Sequence, residues 1–396
     1  MREDSQQRLN RRQFLHTSAA AAGALGLSGS LAGSAPLRTP SPDRIERKTK
    51  RVVIIAFAGG VRSKEVLETP ENVPNLTAIA NAGVTFPNVG TANLGHYGAA
   101  LSIFTGSREV MSIRDNERGL NPTIFEYLRK ECGFSNTDIW LSTTNGAQGK
   151  LFAHSDHPDY GADYAANVLD SDGIFNKEFK DVLDSFGRPK ADTAATRGVM
   201  DSLSAAIDPA QLGKVEGAIP DSVHTRRVEK FILDELGGAN TRVTGPGAGD
   251  AKAVRVGLNI LRAFKPKLLG ITLQNHDIAH NSYNGYVDVI RRNDAEIGKL
   301  WTAINADEEL RDTTTVLICP EFGRDQNLNQ RNGLDHGDGS DSLRKVFLIA
   351  AGPDFKSNKV VSKGIQTLDV CPTVMALFSN KKPTYATAKV ITDAFA

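Results

Sequence analysis

The sequence has few cysteines and almost no excess of charge. Its 396 residues include three cysteines, and 47 lysines and arginines balance 46 aspartates and glutamates. Three cysteines that stand far apart cannot form a disulfide framework or a cysteine-rich zinc site. The balanced charge gives no reason to expect nucleic acid or an anionic membrane surface as a partner. A small anionic substrate remains compatible with it, because such a substrate needs only one local site.

The N-terminal segment lacks an apolar run long enough for a stable membrane span. A short run rich in Ala and Gly extends from Ser18 to Ala32, and it follows a basic segment that contains Arg11 and Arg12. A basic start, a short apolar region and small residues at its end are typical of a signal peptide. Paired arginines before Phe-Leu indicate the twin-arginine type. We therefore predict a signal peptide over residues 1–35, and hence export by the twin-arginine translocase to the periplasm or the medium.

The remaining sequence predicts a linker followed by one large α/β domain. Residues 36–50 are rich in Pro, Ser, Arg and Lys, which is typical of a linker. Beyond them, β-branched runs such as 51–57 and 268–273 alternate with amphipathic segments such as 286–304. This alternation predicts a three-layer sandwich with a mostly parallel central sheet. Residues 145–220 are less periodic, and we predict that they form an insertion over one face of the sheet.

Polar residues follow two of the predicted strands, where ligands of parallel sheets bind. The residues of interest are His276, Asp277 and His280 after strand 268–273, Glu321 after strand 314–319, and His336 in the next loop. Imidazoles together with carboxylates suit zinc, whereas a larger share of oxygen ligands favours manganese or calcium. Loops at strand ends are polar in most α/β proteins. However, three of the eight histidines lie in the loops that follow strands 268–273 and 314–319. We therefore predict a divalent-metal site that includes Asp277, His280 and His336.

Several segments, in this order, resemble the alkaline phosphatase/sulfatase superfamily. They are residues 75–88, 101–106, 276–280, 286–300 and 367–374. The resemblance covers nearly all of residues 51–396 and is weak in the insertion. It implies an alkaline phosphatase-like fold and a hydrolase or transferase that acts on phosphate, phosphonate or sulfate esters. The usual design of the family is a two-metal site around a Ser, Thr or modified Cys nucleophile.

The resemblance also assigns expected roles to individual metal-binding residues. Asp277, His280 and His336 would hold one metal ion, and His276 would compete with Asp277 because either is spaced suitably from His280. Glu321 would stand where the second metal ion usually takes an aspartate. The sequence departs from the family in two places. Residues 58–60, Ala-Gly-Gly, lack the expected aspartate ligand, and Phe322 replaces a histidine.

The nucleophile is less clear than the metal ligands. The position ten residues before Gly106 is His96, where the family has Ser, Thr or Cys, and Thr91 is a second candidate. His96 and Tyr97 precede a predicted helix whose N-terminus favours an anion. We expect Tyr97 and Arg324 to contact the substrate.

Two functions are compatible with these features. The first is an exported metal-dependent ester hydrolase or transferase. The second is a catalytically degenerate relative that serves as a binding or surface-assembly protein, since a fold alone does not establish chemistry.

Overall fold

A computed structural model describes residues 47–110, 117–144, 146–175, 179, 223–239 and 243–396. The predicted signal peptide, with Arg11 and Arg12, lies outside the described residues. So do most of the predicted linker over residues 36–50 and a large part of the predicted insertion over residues 145–220.

Within the described residues, nine strands form one central sheet. They are β1 (Arg51–Phe57), β2 (Val84–Gly90), β3 (Ile139–Thr143), β4 (Asn167–Asp170), β5 (Leu268–Leu273), β6 (Thr314–Pro320), β7 (Lys345–Ala351), β8 (Lys359–Val360) and β9 (Ile365–Gln366). Their order is β4-β3-β5-β1-β6-β7-β2-β8, with β9 also paired to β2. Only β7 runs antiparallel to its neighbours β6 and β2. The sheet is therefore mostly parallel, as the sequence predicts.

The described helices cover both faces of this sheet. They are α1 (Ser63–Val66), α2 (Pro74–Asn81), α3 (His96–Thr105), α4 (Ile124–Glu131), α5 (Gly146–Phe152), α6 (Val223–Ala239), α7 (Ala248–Phe264), α8 (Tyr283–Ala306), α9 (Glu308–Arg311), α10 (Asp341–Arg344) and α11 (Val370–Phe378). Alternate residues of β1 enter two separate cores, because successive side chains of a strand point to opposite faces. Val53 and Ile55 pack with α2, α7 and α8, whereas Val52 and Ile54 pack with α3, α4 and α11. The predicted three-layer α/β sandwich is confirmed.

Part of the predicted insertion over residues 145–220 lies within the described residues. Its described part includes β4, which pairs in parallel with β3 and extends the sheet by one strand. Within the described residues, no helix combines the length and apolarity needed to cross a membrane.

The topology decides where the functional side chains meet. Strands β5, β1 and β6 are neighbours and run parallel, so their carboxyl ends lie side by side at one edge of the sheet. The turn after β1, a short 3-10 helix over Asn275–His280 after β5, and the segment after β6 therefore come together.

Candidate active site

Three imidazoles converge above this edge of the sheet. His96 is the first residue of α3, His280 ends the 3-10 helix after β5, and His336 lies in the loop between β6 and α10. One ring nitrogen from each lies within 4.8 Å of the others, and all three side chains are half-buried. We call these residues the imidazole cluster. Among the described residues, it is the one group of His, Cys, Asp and Glu side chains arranged closely enough to hold a metal ion.

Asp277 joins the imidazole cluster through one carboxylate oxygen. Its Oδ1 lies 3.0 Å from His96 Nε2, 3.3 Å from His280 Nε2 and 2.6 Å from Arg324 Nη2. Burial alone would raise the pKa of Asp277, but hydrogen bonds and charges from His96 and Arg324 outweigh it and hold that pKa well below its usual range. Asp277 is therefore an ionised carboxylate next to the imidazoles.

His96 is enclosed by two carboxylates. Its Nδ1 lies 2.5 Å from Oε1 of the fully buried Glu321, and its Nε2 faces Asp277. Burial would lower the pKa of His96, but Glu321 and Asp277 raise it to about 9. In the metal-free protein His96 is thus an imidazolium near neutral pH. Both ring nitrogens of His96 therefore face carboxylates.

Glu321 is the buried partner in this pair. Burial raises its pKa, and the charge and hydrogen bond of His96 oppose that rise. Its second oxygen, Oε2, has no hydrogen-bond partner among the described residues. The carboxylate that the resemblance assigns to a second metal ion is therefore used, on one side, to hold His96.

His280 is oriented by an aspartate that the sequence analysis did not single out. Its Nδ1 lies 2.6 Å from Asp335 Oδ1. We assign the proton of the ring to Nδ1 from this contact, so the Nε2 lone pair, on the side of the imidazole cluster, accepts a hydrogen bond from Arg324 Nη1 over 3.1 Å. A carboxylate behind a histidine in this way fixes the tautomer that binds a metal ion. The only sequence signal that could have pointed to Asp335 is its position next to His336.

His336 completes the imidazole cluster as a neutral ring. Burial lowers its pKa to about 4, and the positive charges of His96, Arg324 and His280 act in the same direction. Its ring packs against Phe322, with centroids 5.1 Å apart. A neutral imidazole near neutral pH is the form that binds metal ions.

His276 does not join the imidazole cluster. It is fully buried, its ring packs against Phe57 at 5.0 Å, and its Nε2 lies 3.2 Å from Asn293 Nδ2. The structure therefore places Asp277, and not His276, beside His280. The 3-10 helix after β5 determines which side chain lies beside His280. The sequence spacing alone left both His276 and Asp277 open.

The two predicted substrate contacts are also placed away from solvent. Tyr97 stacks on Phe152 in the core, with ring centroids 5.3 Å apart. Arg324 is completely buried, so its guanidinium touches protein atoms and no open surface. Thr91 is half-buried, and its backbone N–H donates to Arg344 O over 3.0 Å. Among the described residues, no hydrogen bond connects its hydroxyl to the imidazole cluster.

Asp250 supports the turn that carries Asp277, and sequence reasoning missed it. It lies near the start of α7, is fully buried, and accepts hydrogen bonds from the backbone N–H groups of Gln274 at 2.9 Å and Asn275 at 3.0 Å. The side chain of Asn293 donates to it as well, over 2.8 Å. These contacts fix the chain between β5 and Asp277. No sequence pattern near Asp250 predicts this role.

Replacing Asp335 by asparagine is expected to weaken zinc binding by about 10–100-fold, the usual cost of losing a partner behind a metal-binding histidine. The reason is that a neutral amide at this position no longer holds the Nδ1 proton of His280 with a charged acceptor. Isothermal titration of the metal-free protein measures the change. Asp341→Asn is the matched control, because that exposed aspartate pairs only with Lys345 among the described contacts. Equal affinities for both variants would contradict the orienting role.

Comparisons with known proteins agree with this architecture. No family model matches the sequence, and no curated protein matches it either. Among solved structures, a variant of alkaline phosphatase PafA is similar with a TM-score of 0.56 and 10% sequence identity, covering 88% of this chain and 99% of that one. Wild-type alkaline phosphatase PafA is similar with a TM-score of 0.54, the same identity and the same coverage.

Such low identities establish the fold and leave the chemistry open. The similarity extends over 88% of this chain, whose described residues form a mostly parallel sheet with helices on both of its faces. The chain therefore has an alkaline phosphatase-like fold.

Proposed function

We propose that this chain is a divalent-metal-dependent hydrolase or transferase of phosphate, phosphonate or sulfate esters, exported by the twin-arginine translocase. The observation that carries the proposal is the imidazole cluster at the carboxyl edge of the sheet. Solved structures with this fold include an enzyme described as an alkaline phosphatase. The export step rests on Arg11, Arg12 and the short apolar run that follows them.

The side chains present suit one divalent ion. His336 offers a neutral nitrogen, the Nε2 atom of His280 lies on the side of the imidazole cluster, and the buried Nε2 of His96 lacks a well-aligned hydrogen bond. Three nitrogens with one nearby carboxylate oxygen, from Asp277, favour zinc over calcium, and manganese is the next choice. When bound, such an ion supplies a Lewis acid for the ester oxygen and a bound water of lowered pKa.

Residues around the imidazole cluster orient its rings. Asp335 orients His280, and Glu321 fixes the ring of His96. The N-terminal end of α3 begins at His96, and the positive end of a helix favours the anionic part of an ester. Because the ring nitrogens of His96 are engaged by Glu321 and by either a proton or the metal ion, water is the attacking group that we propose, with Thr91 as the alternative nucleophile.

The experiment combines metal analysis with ester turnover. The purified mature protein is expected to contain about one zinc ion per chain and to hydrolyse at least one member of a panel of p-nitrophenyl phosphate, phosphonate, phosphodiester and sulfate esters. His336→Ala is expected to lose both the metal ion and the activity. His154→Ala is the matched control, because His154 bonds its neighbouring backbone carbonyl and lies outside the imidazole cluster.

The alternative function is a catalytically degenerate binding or surface-assembly protein. Two observations favour it: Phe322 is buried where a second metal ion would take a histidine, and Glu321 is already paired with His96. Metal bound without turnover on any ester would support this alternative. Retention of metal by His336→Ala would contradict the site itself.

A further inference from the structure

The ring of His336 differs from the other two rings of the imidazole cluster in how it is held. Each of the other rings contacts a carboxylate, over 2.5 Å for His96 and 2.6 Å for His280. Among the described residues, the His336 ring makes no hydrogen bond. It packs against Phe322 and the two other imidazoles, at ring-centroid distances of 5.1, 4.8 and 5.0 Å. Because no carboxylate lies behind this ring, the backbone of its loop must set its position.

Asp325 holds the backbone on both sides of this histidine through three hydrogen bonds. Its backbone N–H donates to Asp335 O over 2.9 Å. Its side-chain Oδ1 accepts the backbone N–H groups of Gly337, over 2.7 Å, and of Asp338, over 3.0 Å. Residues 335 and 337 are the immediate neighbours of His336 in the chain. One half-buried aspartate thus fixes the chain just before and just after the imidazole.

Asp325 is itself anchored to the segment that follows β1. The buried Arg62 donates from Nη1 to Asp325 O over 2.8 Å and to Gln326 O over 3.1 Å. The same guanidinium pairs with the buried Glu65, with Nε 2.9 Å from Oε2. Moving Asp325 would leave donors of a buried cation without acceptors, which is costly. The start of the loop that carries His336 is therefore held firmly.

We propose that Asp325 is the positioning residue for His336, and that it holds this imidazole in its metal-binding place before an ion arrives. This inference rests on the proposed metal-dependent function. Asp325 does not touch the ion, because its Oδ1 is occupied by two backbone N–H groups. A loop that is already ordered avoids the entropic cost of being ordered by the ion, and this raises affinity.

The experiment combines zinc binding with hydrogen exchange on the full mature protein. Isothermal titration with zinc chloride after chelation gives the affinity, and mass spectrometry of the metal-free protein gives amide exchange over residues 334–340. Asp325→Ala removes the side-chain acceptor, whereas Asp325→Asn keeps an oxygen at the same place. Asp369→Ala is the matched control. Asp369 is also half-buried and accepts two backbone N–H groups, those of Gln366 and Lys389, over 2.9 Å each.

Asp325→Ala is expected to bind zinc about tenfold or more weakly than the wild type, as is usual when support behind a metal ligand is lost. Its amides at residues 337 and 338 should exchange at least about threefold faster, because they lose their acceptor. Asp325→Asn should restore both values, and Asp369→Ala should change neither. If Asp325→Ala does not fold, Asp325→Glu replaces it with the same expectation, because glutamate keeps the charge but displaces the acceptor.

Two results would overturn the inference. One is wild-type zinc affinity and exchange in folded Asp325→Ala, and the other is an equal loss of zinc affinity in Asp369→Ala. Either result, with zinc bound to the wild type, would leave the proposed function standing. No zinc on the wild type, with faster exchange at residues 337 and 338 in Asp325→Ala alone, would contradict the proposed function and would support the positioning of His336 by Asp325.

Discussion

Replacing Glu321 by alanine is expected to lower the free energy of unfolding of the metal-free protein by about 3–5 kcal/mol at pH 7, the usual cost of removing one partner of a buried ion pair. Glu321 is fully buried, and its described side-chain partner is the His96 ring. Without the carboxylate, a buried imidazolium loses its nearer counter-charge. Urea denaturation at pH 7 in the presence of a chelator measures the loss.

Glu309→Ala is the matched control for Glu321→Ala. Glu309 is more than half exposed and pairs with Arg51 near the surface, so its removal is expected to cost no more than about 1 kcal/mol. Equal losses for the two variants would contradict the buried-pair interpretation.

The same pair makes wild-type stability depend on alkaline pH. The pKa of His96 is about 9 when folded, above the ordinary value of 6.5. Its stabilising contribution is therefore complete below pH 6.5 and is lost as pH rises through 9. This decline should be smaller in Glu321→Ala.

Acidification is expected to remove roughly 3 kcal/mol of stability between pH 7 and pH 4 through His276 alone, from a linkage slope of about 1.4 kcal/mol per pH unit. Burial lowers the pKa of His276 to about 4, the charge of Arg324 acts in the same direction, and Asp250 opposes them. The unfolded chain binds a proton below about pH 6.5, and the folded chain does not until pH 4. The contribution is therefore present above pH 6.5 and lost as pH falls through 4.

His276→Gln tests this expectation. The variant is expected to be less stable at pH 7, because it loses packing against Phe57, but its stability should fall less steeply between about pH 6.5 and pH 4. His154→Gln serves as the control for the loss of a histidine elsewhere, because the His154 ring bonds the backbone carbonyl of Ser155 and is only partly buried. Urea denaturation at a series of pH values gives both quantities. An unchanged slope in His276→Gln would show that another group causes the acid loss.

Much of the fold could be predicted from the sequence because its signals are local. β1 and β5 have the predicted bounds, since runs of β-branched and apolar residues mark strands that are buried on both faces. Helix α8 begins at Tyr283, three residues before its predicted start, because the side chain of Ser282 accepts a hydrogen bond from Gly285 N–H. Strand β4 was missed because it is short and lies in a weakly periodic segment.

The candidate site was only partly predictable. Asp277, His280 and His336 are close together as expected, because two of them follow the same strand and the third lies after its near neighbour. His96 was expected near the site as a nucleophile, and only its contacts with Glu321 and Asp277 showed a charged ring. Whether Arg324 faces a substrate or the interior depends on packing around Gly60, which no local pattern reveals.

The sequence by itself determined the alternation of strands and helices, because hydrophobic periodicity and capping act between near neighbours in the chain. It also determined which loops carry imidazoles and carboxylates. The tertiary structure alone decided which of these groups touch, because pKa values and ion pairs depend on distances between residues far apart in sequence. His96 and Glu321 are separated by 225 positions, yet their buried contact raises the pKa of His96 and opposes the rise that burial causes in the pKa of Glu321.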